Sequence, residues 1–100
     1  MTTTTLDIHI SHRVAVVWMA RETVRNAFNE ASIAELTETF RSLGADEDVR
    51  AIVLAGKGPA FCAGADLGWM KRMAAFSHDE NRADAMKLAT MLRTIYECPK

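Results

Sequence analysis

The stretch that decides the fold runs from residue 51 to residue 73 and reads AIVLAGKGPAFCAGADLGWMKRM. It opens with a continuous apolar run, residues 51–55, which predicts a buried strand. A glycine-rich, nearly uncharged segment follows at residues 56–67, where Asp66 stands at the N-cap position of the next helix. Glycines permit unusual dihedral angles and a helix start leaves backbone N–H groups unpaired. Such a segment is either a cradle for an anion or oxyanion, or a plain strand-to-helix turn.

Upstream of this stretch, the sequence predicts a pair of strands. Residues 6–10 alternate apolar and polar side chains, the pattern of a half-buried strand, and residues 13–19 form a longer apolar run. Ser11 and His12 between them predict a tight hairpin. Residues 20–28 have no sustained period and predict an ordered loop that leads to a helix.

The first long helix is predicted from Glu30 to Leu43, with Asn29 as its N-cap and Gly44 as its C-terminal cap residue. Apolar side chains at helical spacing are expected to face the core, and charged side chains to point away. The apolar set is Ile33, Leu36, Phe40 and Leu43, and the charged set is Glu35, Glu38 and Arg41.

Two helices are predicted downstream of the glycine-rich segment. The first runs from Leu67 to about Ala75, and the second from His78 to about Glu97, because Ser77 and Glu80 form a capping box and Pro99 stops the helix. The apolar members of the second helix are expected to cover one broad side: Ala85, Leu88, Ala89, Met91, Leu92, Ile95 and Tyr96. The order β-β-α-β-α-α predicts an α/β domain, in which a helix crossing between the second and third strands makes them parallel.

Composition limits the classes of function. One hundred residues with 49% hydrophobic and 25% charged residues form one small globular domain, and a formal net charge of -1 gives no basic surface for nucleic acid. No secretory signal and no apolar run long enough to span a membrane is visible, so we expect a soluble cytoplasmic protein without membrane contact. Cys62 and Cys98 match no zinc spacing and predict free thiols.

No metal site is predicted. His9 and His12 lie on a polar face and beside a turn, with no third ligand nearby in the sequence, and are expected at the surface. The acidic run of residues 46–48 predicts a solvated connection between the helix and the strand, because a metal would need more convergent carboxylates.

Three segments of the chain carry a family resemblance: residues 24–29 (VRNAFN), 49–56 (VRAIVLAG) and 60–67 (AFCAGADL). Together they resemble the N-terminal half of the crotonase superfamily, the enoyl-CoA hydratases and isomerases. The resemblance implies the N-terminal part of a single ββα spiral domain whose remainder lies beyond Lys100. Three segments, residues 64–73, 80–82 and 96–100, look most like the branch that contains the methylglutaconyl-CoA hydratases of leucine breakdown.

The resemblance also implies a chemistry. Such enzymes pass through an enolate-like species whose charge collects on the thioester oxygen of an acyl-CoA, and two backbone N–H groups hold that oxygen. The first donor corresponds to the N–H of Ala65, and Gly64 permits close approach. The second donor and the acid/base carboxylates of the family correspond to no residue of this chain, so we expect residues 1–100 alone to be inactive.

The remaining site residues follow from the same resemblance. The CoA-binding residues it implies are Arg25, Ala27, Ala63, Gly64, Ala65, Asp66, Leu67 and Gly68. Arg25 either faces a CoA phosphate or solvates its loop. Trp69, Met70 and Met73 either line the acyl pocket or belong to the core. For Asp66, helix capping is favoured over a role as general base. Glu22 stands where many members have proline.

The function that these residues predict is hydration of a short or branched 2-enoyl-CoA, with no permanently bound cofactor, in a homotrimer or hexamer. A crotonase-type isomerase or hydrolase shares the oxyanion site and stays open, because the acid/base groups decide the reaction. A non-catalytic binding or assembly module is the other alternative, although the few clustered cations, Lys71, Arg72 and Arg82, do not favour an RNA partner.

Overall fold

The computed structural model describes residues 3–100 and has the order of elements that the sequence predicts. The α/β fold class is therefore confirmed. A single turn of 3-10 helix, Glu22–Val24, precedes the first long helix. The strands and helices are β1 (Leu6–Ser11), β2 (Val14–Met19), α1 (Glu30–Ala45), β3 (Ala51–Gly56), α2 (Leu67–Ala74) and α3 (His78–Tyr96).

The three strands form one sheet in the order β1-β2-β3. β1 is antiparallel to β2, and β2 is parallel to β3 because α1 crosses between them, as predicted. The hairpin turn lies one residue later than expected, since Ser11 still pairs with Val14. His12 and Arg13 both have left-handed backbones, with φ of 52° and 65°, which is the pattern of a two-residue turn that follows the twist of the strands.

The hydrophobic core is formed by the sheet, by helix α1 and by helix α3, which packs on α1. β2 contributes every second residue, and α1 contributes the apolar face that its spacing predicts. Met91 of α3 and Val49 before β3 are completely buried against them. The buried residues of this cluster are Leu6, Ala15, Val17, Met19, Ile33, Leu36, Phe40, Leu43, Val49, Trp69 and Met91.

Helix α1 begins as the sequence predicts and ends differently. Asn29 Oδ1 accepts a hydrogen bond from Ser32 N, and Ser32 Oγ accepts one from Asn29 N, both at 2.9 Å. The prediction that Gly44 terminates the helix is wrong, because the helix continues to Ala45 and Asp46 is the C-cap. A Cβ at Gly44 would lie 3.3 Å from Cys98 Sγ, so this glycine lets the end of the chain pack closely on the helix.

The prediction that Glu35 points away from the protein is also wrong. Its carboxylate accepts hydrogen bonds from Thr5 N and Thr4 N, both at 2.9 Å, and from both threonine hydroxyls. Burial of this carboxyl raises its pKa, but the hydrogen bonds from Thr5 and Thr4 outweigh that effect and leave the pKa below its ordinary value. Glu35 therefore fastens the residues before β1 to helix α1.

β3 and α3 are less covered than the sequence suggests. The prediction of a buried β3 is wrong in this chain, since Val53 is 47% exposed and no strand within residues 3–100 pairs with the outer edge of β3. On α3, Met91 is buried and Leu88 and Ile95 pack against the core, but Leu92 and Tyr96 are exposed. The apolar side chains of α3 cover a wider part of the helix surface than α1 can bury, so some of them stay exposed.

Several other local predictions agree with the structure, although Ala85 and Ala89 of the predicted apolar side of α3 are exposed. Ser77 Oγ accepts from Glu80 N, and Glu80 Oε1 accepts from Ser77 N, which forms the expected capping box of α3. His9 and His12 are exposed, and both cysteines are free thiols. Within residues 3–100, no helix is both long and apolar enough to cross a membrane.

Candidate functional site

The site is built from two loops that lie side by side. One is residues 20–28, between β2 and α1, and the other is residues 57–66, between β3 and α2; we call them together the loop pair. They meet in a parallel bridge between Phe28 and Ala65. Phe28 N donates to Gly64 O, and Asp66 N donates to Phe28 O, each at 2.7 Å.

This bridge determines where the N–H of Ala65 points. In a parallel bridge, the residue between the two bonded peptides turns its own N–H and C=O to the opposite side. Ala65 is exposed, and its N–H donates to no acceptor among residues 3–100. The loop pair thus presents the Ala65 N–H as an unpaired backbone donor at the surface, a group that an oxyanion or another acceptor would bind.

Two positions near Ala65, Gly64 and Gly68, require glycine for different structural reasons. Gly64 has φ of +96°, and a Cβ there would have no atom within 4 Å, so its dihedral angle and not crowding requires glycine. A Cβ at Gly68 would lie 2.9 Å from Asp66 Oδ1 and would disturb the cap of α2. The surface at Gly64, next to Ala65 in the chain, is consequently open.

Asp66 caps α2, as the sequence predicts. Its Oδ1 accepts from Trp69 N at 3.0 Å, and its Oδ2 forms an ion pair with Arg21 Nη2 at 3.0 Å. The hydrogen bond from Trp69 and the Arg21 guanidinium hold the pKa of the Asp66 carboxyl below its usual range. A carboxylate with a lowered pKa is a weak base, so these contacts fit capping and not proton abstraction.

Asn26 holds the loop pair together at its centre. The side chain is buried, and its Oδ1 accepts from Arg21 N at 2.9 Å while its Nδ2 donates to Lys57 O and Ala60 O at 3.0 and 2.9 Å. Arg25 and Asn26 both adopt left-handed backbones, with φ of 52° and 57°. One amide therefore satisfies groups of both loops, and it fixes an unusual turn for residues other than glycine.

The sequence predicts residues 24–27 as a CoA-binding loop, but it predicts neither the contacts of Asn26 nor those of Arg21. Arg21 Nη1 donates to Ala27 O, and Nη2 donates to Asp66 Oδ2. Only a weak signal in the sequence could have indicated Arg21. This arginine lies two residues after the apolar strand β2, in a loop that is predicted to be ordered. Its partners lie far along the chain, so spacing could not show them.

The implied CoA-binding residues lie close together on the loop pair. Arg25 and Ala63 are joined by a backbone hydrogen bond, from Ala63 N to Arg25 O at 3.0 Å. Arg25 is exposed and makes no ion pair with any residue from 3 to 100. Ala27 is buried beneath the loop, whereas Ala63, Ala65 and Leu67 are exposed. Their contact with CoA stays a prediction.

The three residues assigned to the acyl pocket differ in burial. Trp69 belongs to the core, and its Nε1 donates to Asp84 Oδ2 of α3 at 3.1 Å. Met73 is partly buried and packs against the core, whereas Met70 is 48% exposed on the first turn of α2. Contact with an acyl chain stays a prediction for all three, and Met70 is the one with a largely free side chain.

A separate cavity of about 440 Å³ lies between the three helices. Its lining includes Ile33, Trp69 and Met86, and it takes no residue from 56–66. Among the described part of the chain, no group of three or more His, Cys, Asp or Glu side chains could hold a metal ion. The Ala65 N–H lies outside this cavity.

Comparison with known proteins shows the family and the fold of this chain. A sequence profile described as enoyl-CoA hydratase/isomerase matches residues 9–100. The crystal structure of an enoyl-CoA hydratase from Shewanella pealeana superimposes with a TM-score of 0.93 at 31% sequence identity, over 97% of this chain and 37% of that one. The fold is that of the crotonase superfamily. Within it, the chain belongs to the enoyl-CoA hydratase/isomerase family.

The relatives include proteins named for more than one reaction. A putative enoyl-CoA hydratase of Thermus thermophilus is 36% identical over 87% of this chain and 34% of its own length. The mitochondrial Delta(3,5)-Delta(2,4)-dienoyl-CoA isomerase of the mouse is 33% identical over 97% of this chain and 31% of its own length. The chain thus spans about a third of the length of these relatives. The narrower likeness to methylglutaconyl-CoA hydratases stays a prediction.

Proposed function

We propose that this chain is the N-terminal part of a hydratase domain that adds water to a short or branched 2-enoyl-CoA. The single observation that carries the proposal is the outward, unpaired N–H of Ala65, held by the bridge to Phe28. Family membership supports a CoA thioester as the substrate class.

The chemistry requires a donor of this kind. When water adds to the double bond of an α,β-unsaturated thioester, negative charge develops on the thioester oxygen. A fixed N–H that points at that oxygen stabilises the charge without reorganisation during the reaction. Because the Ala65 N–H has no competing acceptor within residues 3–100, it is free to take this role.

The other contacts of the substrate follow from what the loop pair exposes. Arg25 is proposed to face a CoA phosphate, because its guanidinium is exposed and unpaired with any described carboxylate. The backbone of residues 63–68 is proposed to lie along the CoA moiety, and Met70 beside the acyl chain. No permanently bound cofactor is needed for this reaction. A homotrimer or hexamer in the cytoplasm is proposed on the family resemblance.

Only half of the oxyanion site is proposed for this chain. The second donor and the acid/base carboxylates are proposed to come from a further part of the same protein, which fits the fact that the chain spans 34% of its Thermus relative. Residues 1–100 alone are expected to show no turnover of an enoyl-CoA. Measurable hydration by the purified 100 residues would contradict this proposal.

An isomerase is the second candidate, because the mouse dienoyl-CoA isomerase matches 97% of this chain. Both reactions use the same oxyanion donor and differ in the acid/base groups. Mass analysis of the product from the full-length protein separates them. A product heavier by one water supports a hydratase, and a product of unchanged mass with a shifted double bond supports an isomerase.

The role of the donor can be tested by Ala65→Pro in the full-length protein. Proline removes the N–H, and no hydrogen bond within the described chain is lost with it. We expect kcat to fall by about 100- to 1000-fold. The matched variant Ala65→Ser keeps the N–H and should retain most of the turnover. Equal kcat for the proline and serine variants, both folded, would contradict the assigned role.

A further inference from the structure

We infer that Arg21 is a positioning residue for the oxyanion donor: its guanidinium clamps the two sides of the bridge that orients the Ala65 N–H. The inference rests on the proposed function, because it concerns the same donor. The hydrogen bonds of the Arg21 side chain go to Ala27 and Asp66 and not to Ala65, so we expect its effect on the reaction to pass through the loops that it joins.

The contacts of the guanidinium lie on both sides of the bridge. Nη1 donates to Ala27 O, one residue before Phe28, and Nη2 donates to Asp66 Oδ2 at 3.0 Å, one residue after Ala65. The bridge itself consists of two backbone hydrogen bonds, Phe28 N to Gly64 O and Asp66 N to Phe28 O. The planar fork of one arginine thus holds both partners of a very short bridge in register.

This clamp also has an electrostatic consequence. The Asp66 carboxylate is adjacent to Ala65 in the chain, and an uncompensated negative charge there would disfavour an oxyanion at the Ala65 N–H. The Arg21 ion pair offsets that charge. The side chains of Arg21 and Asp66 are only 21% and 13% exposed, so water screens their interaction less than it would at the surface.

The side chain can be tested apart from the backbone. Arg21 N donates to Asn26 Oδ1, and Arg21 O accepts from Val24 N and Asn26 N. These backbone bonds fold the turn, and they persist when only the side chain is replaced. Changing the guanidinium should therefore alter the register of the bridge without removing the turn itself.

The experiment compares Arg21→Gln and Arg21→Lys in the full-length protein, with kcat and KM measured separately. For Arg21→Gln, we expect kcat to fall about 10- to 100-fold while KM stays within about threefold, since a misplaced donor weakens binding of the transition state more than of the substrate. Arg21→Lys keeps the charge and loses the fork, so its kcat should be intermediate. The matched control is Arg93→Gln, which breaks the exposed Arg93–Glu97 pair on α3 and should change kcat by less than about twofold.

A second measurement reports the strength of the hydrogen bond from the Ala65 N–H to the thioester carbonyl. Difference infrared spectroscopy of a bound acyl-CoA analogue reports the thioester carbonyl stretch, which shifts to lower frequency as the hydrogen bond from the protein strengthens. The wild-type protein should show this shift, and Arg21→Gln should show a smaller one. A merely stabilising role for Arg21 would lower the unfolding temperature and leave the carbonyl shift of the folded protein unchanged.

Each outcome decides the inference. A folded Arg21→Gln protein with wild-type kcat and the full carbonyl shift overturns it, and so does an effect on KM alone, which would make Arg21 a binding residue. If Arg21→Gln does not fold, the same comparison is made with Arg21→Lys. If the wild-type protein itself shows no carbonyl shift and no turnover, the proposed function fails, and the inference fails with it.

Discussion

The hydrophobic core and the loop pair hold their residues in different ways. In the core, Leu36, Val17 and Met91 are fully buried by apolar contacts that many neighbours share. In the loop pair, Asn26 and Arg21 each join two segments by directed hydrogen bonds. Apolar contacts are numerous and non-directional, whereas a buried polar group loses its partner completely when the geometry changes.

This difference concerns function as well as stability. The core brings β2, β3 and α1 together, but its buried residues lie outside the loop pair. The bridge and the polar contacts of the loop pair hold the conformation in which the Ala65 N–H faces outward. We therefore expect core substitutions to change mainly stability, and loop-pair substitutions to change the proposed activity as well.

The largest effect on stability is expected for Leu36→Ala. Leu36 is fully buried in α1, so truncation removes apolar contacts and leaves a cavity that costs about 2–5 kcal/mol of the free energy of unfolding. Urea unfolding followed by circular dichroism measures the change. The control is Leu92→Ala on α3, where the leucine is 52% exposed and should cost far less. Equal losses for the two variants would contradict the assignment of the core.

A test of the loop pair is the isosteric change Asn26→Asp. The carboxylate can still accept from Arg21 N, but it cannot donate to Lys57 O and Ala60 O. We expect a loss of about 1–3 kcal/mol in the free energy of unfolding and a fall in kcat of the full-length protein.

The same change at Asn29 is its control. Asn29 caps α1 through Oδ1, which accepts from Ser32 N, and aspartate is an equally good N-cap. Asn29→Asp should therefore unfold at nearly the wild-type urea concentration. If Asn26→Asp behaves like Asn29→Asp, the two donated hydrogen bonds of Asn26 do not hold the loop pair.

The pH dependence of stability tests the Asp66 contacts. The hydrogen bond from Trp69 and the Arg21 guanidinium lower the pKa of Asp66 in the folded protein. Its contribution to stability is consequently present above the ordinary aspartate pKa of about 4 and is lost as the pH falls through the lower, folded value. We expect Asp66→Asn to be less stable than wild type near neutral pH, with the difference shrinking in acid. A difference that grows in acid would contradict this sign.

The smallest effect is expected for Gly44→Ala in α1. Alanine favours the helix by up to about 1 kcal/mol relative to glycine. Its Cβ, however, would lie 3.3 Å from Cys98 Sγ, which is slightly closer than an ordinary van der Waals contact. The two effects oppose each other, so the free energy of unfolding should change by less than about 1 kcal/mol. A large loss would show that the packing of the chain end on α1 is rigid.

The sequence predicts most of the fold because its signals are local. Asn29 and Ser77 cap helices through residues three positions away, and alternation and crossover identify the strands and their directions. Gly44 shows where such reasoning fails. A glycine after a helical pattern usually ends the helix, but here the contact with Cys98 explains it, and that contact exists only after the chain has folded.

The candidate site is less predictable from the sequence for the same reason. Arg21 and Asp66 are 45 residues apart, and the bonds from Thr4 and Thr5 to Glu35 cross 31 and 30 residues. No periodicity reports such pairs. The family resemblance implies the role of Ala65, but the outward direction of its N–H depends on Phe28, which lies in the other loop.

The open edge of β3 has a practical consequence for handling the isolated 100 residues. The strand offers unpaired backbone groups on one side and an exposed Val53, which together form a template for another strand. Light scattering of the purified chain should show association that increases with protein concentration. Exchange of Val53 for lysine should reduce it, and samples for spectroscopy are best kept dilute.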